Sequence, residues 1–346
     1  MDLSRLDTIK INFIIGPGRS GTTLLVVLLN NLQNCISTPE IHHLLYFFKK
    51  YRKIQKVSPQ VISDYKKYLN YYFEIKKSPL IGPLNMSLID SLQIGQPITY
   101  GELSKLIYLS LYGEKGISYD INVIMDKNPY YTFHIDKIKE VFPEAKFLAL
   151  IRDYRAYALS NVQSQKPWVA KKSYLYYAHV WSLHLRKISS GKKKYGDDLK
   201  IIKYEDLAIN KEETFKEIMS FLKIDYTEAI FDFHIAMKEK IKNLYIPSQH
   251  ERMIKKINDL SSPINSSRVY TWQQSLSDEN MKRLEFVCEK IGMNYNYFPL
   301  KKITVLQKIK YTIIQLPILI RVKLFEVLNS SRIHFHLNYK KNKAPN

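Results

Sequence analysis

Residues 9–15 (IKINFII) form a short β-branched apolar run that stops at Gly16-Pro17-Gly18, and residues 22–32 beyond it are rich in Leu and Val. That order reads as strand, glycine loop, helix. Three further apolar runs, at 122–126, 146–151 (KFLALI) and 199–203, are each followed by a helical pattern. The first of these helices starts near Pro129 and ends before Pro143; the others cover about 154–165 and 212–222. Strands alternating with helices predict an α/β fold, a doubly wound parallel sheet flanked by helices.

Between the first two strands, residues 41–121 read as a mostly helical insertion, with a Tyr-dense segment at 65–72 and an amphipathic stretch at 102–112. It is expected to cover the C-terminal edge of the sheet. No repeat at a solenoid period and no long Gly, Ser or Pro linker divides the chain, so one domain over 1–300 is expected. From 303 to 328 apolar residues recur at Ile303, Leu306, Ile313, Ile320, Leu324 and Val327, with Lys308, Lys310, Arg321 and Lys323 interspersed. Such a segment either docks on the core or lies along an anionic membrane face. Its longest apolar stretch, 311–320, is far short of the roughly 20 residues that span a bilayer. The basic tail at 331–346 is expected to be loose.

The loop between the first strand and its helix, Gly16-Pro17-Gly18-Arg19-Ser20-Gly21-Thr22-Thr23, stands where backbone amides and a helix dipole cradle a phosphate. A nucleoside-triphosphatase loop would place Lys directly after its last glycine, but here Gly21 is followed by Thr22. The cation instead stands inside the loop as Arg19. A P-loop kinase or NTPase therefore remains only as the alternative reading.

G-x-x-R-S-G-T-T-L-L resembles the 5′-phosphosulfate loop of sulfotransferases that use 3′-phosphoadenosine-5′-phosphosulfate (PAPS). The run from Phe142-Pro143-Glu144 through Ile151-Arg152-Asp153 to Ser160 resembles that family's 3′-phosphate segment. Asp126-Lys127-Asn128-Pro129 and Lys203-Tyr204-Glu205-Asp206-Leu207 are similar to further elements of its bacterial and tyrosylprotein branches. The resemblance implies a P-loop-like fold and PAPS as cosubstrate, bound by Gly18, Arg19, Ser20, Gly21, Thr22, Thr23, Arg152 and Ser160. Tyr204 either reaches the nucleotide or belongs to the core. Ser267, Arg268 and Trp272 stand where the family closes over the nucleotide, with a looser match.

Sulfuryl transfer is an in-line displacement on sulfur, requiring a base for the acceptor proton and cations for the charge on the leaving phosphate. No metal is required. Arg19 and Lys127 are the expected cations. Glu40, in Ser37-Thr38-Pro39-Glu40, matches by resemblance the catalytic Glu of some members, with His42 and His43 as rival bases. The Glu205-Asp206 pair reads as a structural cap. The acceptor is expected to be a hydroxyl on a glycan, a lipid headgroup, a tyrosine or a small alcohol or phenol.

The chain of 346 residues carries 53 Lys and Arg against 32 Asp and Glu, a formal charge of +21 that favours anionic partners without choosing among them. A noncatalytic nucleic-acid binder would leave the Arg19 and Arg152 motifs unexplained, so no nucleic-acid partner is expected. Cys35 and Cys288 lie far apart with no metal spacing, and no export signal is evident at Met1–Lys10, so a cytoplasmic location is expected, peripheral to a membrane if 303–328 lies along one rather than docking on the core.

Overall fold

The computed structural model describes residues 4–38, 40–76, 84–113, 121–165, 172–235 and 264–330 of the chain. Five strands, β1 (Lys10–Ile15), β2 (Cys35–Thr38), β3 (Val123–Lys127), β4 (Phe147–Ile151) and β5 (Leu199–Lys203), form one sheet in the order β2-β3-β1-β4-β5. Every pairing is parallel. Four of these strands are the apolar runs of the sequence; β1, β3 and β4 are buried almost throughout because both sheet faces are covered, whereas the edge strand β5 keeps Lys200 and Lys203 half-buried. β2 was not among the expected strands. It is an edge strand of four residues, and CIST is too short and too polar to signal itself by periodicity.

The pleat divides the core in two. Phe13 and Ile15 on β1 and Phe147, Ala149 and Ile151 on β4 point into the larger cluster, whereas Ile14, Leu148 and Leu150 point to the other face. Helix α1 (Thr22–Asn30) covers the second face through Leu25, Val26 and Leu29, joined by Phe215, Ile218 and Leu222 of a helix near the end of the α/β alternation. The larger face takes the insertion: α2 (His43–Tyr51), α3 (Pro59–Lys76) and α4 (Tyr100–Ser110). The Tyr-dense segment lies on α3, where Tyr65 stacks on Phe47 of α2 with centroids 4.8 Å apart. Thr99 and Glu102 form a reciprocal capping box that starts α4.

The helix expected after Pro129 is divided. A 3-10 turn, Pro129–Phe133, is separated from α5 (Ile135–Val141) by His134, whose φ of −135° is not helical. Asn128 caps the turn through a hydrogen bond that its side-chain oxygen accepts from the Tyr130 amide. Beyond β4 come α6 (Tyr154–Gln163) and α7 (Tyr174–Tyr195), and beyond β5 come α8 (Lys211–Leu222), α9 (Asp278–Met293) and α10 (Val305–Ser330). Neither α7 nor α9 was expected from the pattern; both pack against the larger core cluster, through Trp181, Leu185 and Ile188 on α7 and Leu284 and Cys288 on α9.

α10 docks on the protein, but not by the stripe the sequence suggested. Tyr311, Ile318, Val322 and Phe325 face inward, the last three against Tyr176, Val180 and Leu183 of α7. Leu306, Ile313, Ile320, Leu324 and Val327 face outward and are exposed. The tail at 331–346 lies outside the described residues.

Candidate active site

The strand order places β1 between β3 and β4: the chain runs from β1 out to β2 and back to β3 on one side, then crosses from β3 to β4 and β5 on the other. A crevice opens there beyond the C-terminal strand ends, the usual ligand position in an open α/β sheet. In register, Ile14 lies beside Lys127 and Ile151 beside Lys203. The glycine loop, Lys127, Arg152 and Tyr204 therefore all emerge at one edge, and Glu40 follows β2 onto the same edge.

The loop holds its shape through backbone that only certain residues permit. Gly21 sits at φ +87°, and a Cβ there would lie 2.5 Å from Cδ2 of Tyr204. Arg19 adopts the left-handed region at φ +71°, a local cost borne by the surrounding contacts. The Gly16 amide donates to Oγ1 of Thr132 at 3.0 Å, tying the loop to the turn after β3. Thr22 is buried and Thr23 half-buried at the start of α1, whose first turn has neither a side-chain cap nor an acidic residue. Its leading amides are thus available to an anion.

Around the loop, Arg19, Ser160, Arg152, Tyr204 and Arg268 come together. Nε of Arg19 donates to Oγ of Ser160 at 3.2 Å. Arg152 is buried; its Nη2 donates to the Arg268 carbonyl at 2.7 Å and its Nη1 to the Arg19 carbonyl at 3.4 Å. Its guanidinium lies 4.4 Å from the centroid of the Tyr204 ring. Desolvation lowers the Arg152 pKa from its ordinary value, with Tyr204 and Glu205 acting the other way. Tyr204 is thereby a buried platform beneath both Gly21 and Arg152. The turn Ser266–Arg268 reaches the cluster by the Arg268 backbone, while the Ser267 side chain is exposed and its amide is taken by Asn265. Trp272 stacks instead on Arg155, 4.2 Å from its guanidinium.

Three features suit this cradle to a phosphate. Oγ of Ser20 and Nε of Arg152 are buried and find no hydrogen-bond partner among the described residues. A Cβ at Gly18 would meet nothing within 4 Å, so open space adjoins the loop backbone there. Buried donors are rarely left unmatched without a reason.

A second group stands at the end of β3. Nζ of Lys127 donates to Oε1 of Glu40 at 2.8 Å; the Lys side chain is 4% exposed and the Glu side chain 41%. Behind the pair, Asp126 is fully buried and accepts from the hydroxyls of Tyr108 and Thr38. Desolvation pushes its carboxyl up to about 7 against the opposing hydrogen bonds of Tyr108, Tyr131 and Thr38 and the charge of Lys127. No sequence pattern announced this network, because Tyr108 arrives from the insertion.

The two histidines diverge. His43 is fully buried, with its ring 4.5 Å from that of Tyr108, and desolvation pushes it down to about 3. His42 is half-buried, its Nδ1 2.9 Å from Nδ2 of Asn128. The Asn128 amide is oriented by Ile41 and Tyr130, so Nδ2 is a donor and Nδ1 of His42 must accept. Glu205 accepts from the Asp153 amide and the Tyr297 hydroxyl, a structural tie between two strand ends rather than the cap expected of it. Sequence reasoning missed the lock on Asp153: Arg155 donates to both of its carboxylate oxygens, at 2.9 Å and 2.7 Å.

The model of the sulfotransferase family matches residues 12–228, and the chain belongs to that family. This accords with the resemblance carried by the loop and strand-end motifs. Among relatives, it is 22% identical over 167 residues to a Caenorhabditis briggsae chain named as a protein-tyrosine sulfotransferase, covering 47% of this chain and 57% of that one. A Caenorhabditis elegans chain of the same name is 21% identical over 173 residues, with 49% and 64% covered. The matched region thus spans roughly three fifths of each relative's length. Among solved structures, the sulfotransferase domain from the curacin biosynthetic pathway superposes with a TM-score of 0.51 at 17% identity, covering 84% of this chain and 98% of that one. The P-loop-like α/β fold is therefore that of the family.

Proposed function

We propose that the protein transfers a sulfuryl group from PAPS to a hydroxyl acceptor, with the nucleotide held by the loop 18–23 and by Arg152 and Ser160. The observation that carries this reading is a pair of buried donors beside the loop, Ser20 Oγ and Arg152 Nε, that have no partner among the described residues. Bound PAPS supplies an activated sulfuryl group on a phosphate leaving group. Backbone amides at the start of α1, with Ser20, Thr22 and Thr23, hold the 5′ side, while Arg152 and Ser160 read the 3′-phosphate. Tyr204 supports both from below, and the Ser267–Arg268 turn flanks the nucleotide.

Glu40 accepts the acceptor's proton as its oxygen bonds to sulfur and the bond from sulfur to the bridging oxygen breaks. Lys127 and Arg19 meet the charge that grows on that oxygen. Lys127 bonded to Glu40 couples the two sides of the displacement in one ion pair. His43 is too buried to exchange protons with a substrate. His42 uses its accepting nitrogen on Asn128, so in the neutral ring the other nitrogen carries hydrogen and cannot take a proton. Glu40 is the base this geometry favours.

The acceptor is a glycan, lipid-headgroup, tyrosyl or small-molecule hydroxyl. Incubation with labelled PAPS and a panel of these acceptors tests the reading: label transferred to at least one class supports it. Stabilisation by Mg-ATP but not by 3′-phosphoadenosine-5′-phosphate (PAP) would return the protein to the nucleotide-kinase class. Cys35 and Cys288, both buried free thiols, support a reducing cytoplasmic setting.

A further inference from the structure

α10 presents two apolar faces on opposite sides. The inner one is spent on packing: Val322, Ile318 and Phe325 meet α7, the Phe325 ring also meets Phe133, and Tyr311 is buried with its hydroxyl donating to Glu279. The outer one runs through Leu306, Ile309, Ile313, Leu316, Ile320 and Leu324, steps of three or four residues that keep one side of a helix. These six are between 54% and 79% exposed. A helix of this length, about 39 Å at 1.5 Å per residue, carries the stripe over most of its extent. An apolar patch of that kind marks a contact surface rather than scattered surface leucines.

We propose that this outer face is a docking surface for an anionic lipid bilayer, on which the helix lies in the plane of the headgroups. Charge selects the occupant. From Lys301 to the end of the chain there are ten Lys or Arg against the single acid Glu326. Glu326 pairs with Lys187 at 3.2 Å and Lys323 at 2.9 Å, and Lys310 pairs with Glu279 at 3.3 Å, so pairing offsets part of this charge and leaves the segment net basic. Lys308, Lys310, Arg321 and Lys323 lie on α10 itself, so an apolar strip is bordered by cations, the arrangement of helices that bind at an interface. A second copy docking by the same face would set these cations against their own equivalents in a two-fold contact. An anionic lipid surface meets them with opposite charge. No helix among the described residues is long and apolar enough to cross a membrane. The surface therefore lies on the bilayer.

The proposal goes beyond the sulfuryl-transfer reading and stands independently of it. Full-length protein is floated with vesicles of phosphatidylcholine alone and of phosphatidylcholine with phosphatidylglycerol, beside the double variant Ile313→Glu/Ile320→Glu. Both positions face solvent, so the variant's thermal melt and PAP affinity are expected to match those of the parent. A second pair, Leu306→Gln/Leu324→Gln, replaces it should the first fail to fold. The expected result is flotation with anionic vesicles only, abolished in the variant, with the parent monomeric in solution. Any of three results overturns the proposal: no flotation of the parent, flotation unchanged by the substitutions, or a soluble dimer that the substitutions dissociate without any vesicle binding.

Discussion

Arg152 offers the sharpest test of how the donor is read. In the structure it is a buried cation, 9% exposed, satisfied by two carbonyls and the Tyr204 ring, with Nε unmatched among the described residues. A 3′-phosphate beside it would supply the missing acceptor and the missing negative charge together. A charge-assisted contact is worth about 1.5–3 kcal/mol, or roughly 10- to 150-fold in affinity. The perturbation is Arg152→Met, which keeps much of the apolar bulk over Tyr204 and removes the donors. In calorimetry, the parent is expected to bind PAP more tightly than AMP by at least that factor, and the variant to lose the preference while retaining most of its AMP affinity. Stability falls by a smaller amount, on the order of 1 kcal/mol, because the lost bond to the Arg268 carbonyl is offset by removal of a desolvated charge. Equal losses on PAP and AMP would show that Arg152 only shapes the loop, and an unchanged preference would remove it from the 3′-site.

Glu40→Gln is expected to lower turnover by about 10²–10⁴ with PAP affinity retained, measured with labelled PAPS; full activity in this variant alongside a dead His42→Ala would move the base to His42. Gly21→Ala forces a left-handed backbone on alanine and drives its Cβ into Tyr204, costing roughly 1–3 kcal/mol in a denaturant melt. Gly18→Ala meets open space and is expected to leave the melt unchanged while weakening PAP, because the added methyl enters the cradle; destabilisation by both alike would refute the assigned geometry. Asp126 has its carboxyl raised from 3.8 to about 7 by burial, so between those values the folded state holds a proton that the unfolded chain releases. Its contribution to stability therefore declines as pH rises from about 4 to 7. Asp126→Asn should accordingly gain stability relative to the parent across that interval in parallel thermal melts, and a pH-independent difference would contradict the assignment.

Local chemistry fixed what could be read without coordinates. β1, β3 and β4 announced themselves as apolar runs because strands covered on both faces need no polar alternation, and β5 did so through Leu199, Ile201 and Ile202 although it lies at the sheet edge. The loop announced itself because its left-handed positions and its cation are written in adjacent residues. Arg152 and Ser160 were singled out by the family resemblance, which a strand end and the next helix make physically reasonable. Long-range packing decided the rest. β2 is a strand because β3 supplies hydrogen bonds to four residues too few to signal a strand by themselves, although Ile36 and Thr38 favour one. Consecutive residues His42 and His43 looked alike in sequence, yet one is held by Asn128 and the other is sealed against Tyr108, since the start of α2 turns them to different sides. Arg155, three residues after Arg152, is enclosed by Asp153 and Trp272, a placement no local pattern announced. On α10 the sequence supplied an apolar helix with basic flanks, but not which side would face the protein. That choice was made by the shape of α7, which accepts Ile318, Val322 and Phe325 and leaves the longer stripe outward, because a helix with two apolar faces can bury only the one that fits its neighbour.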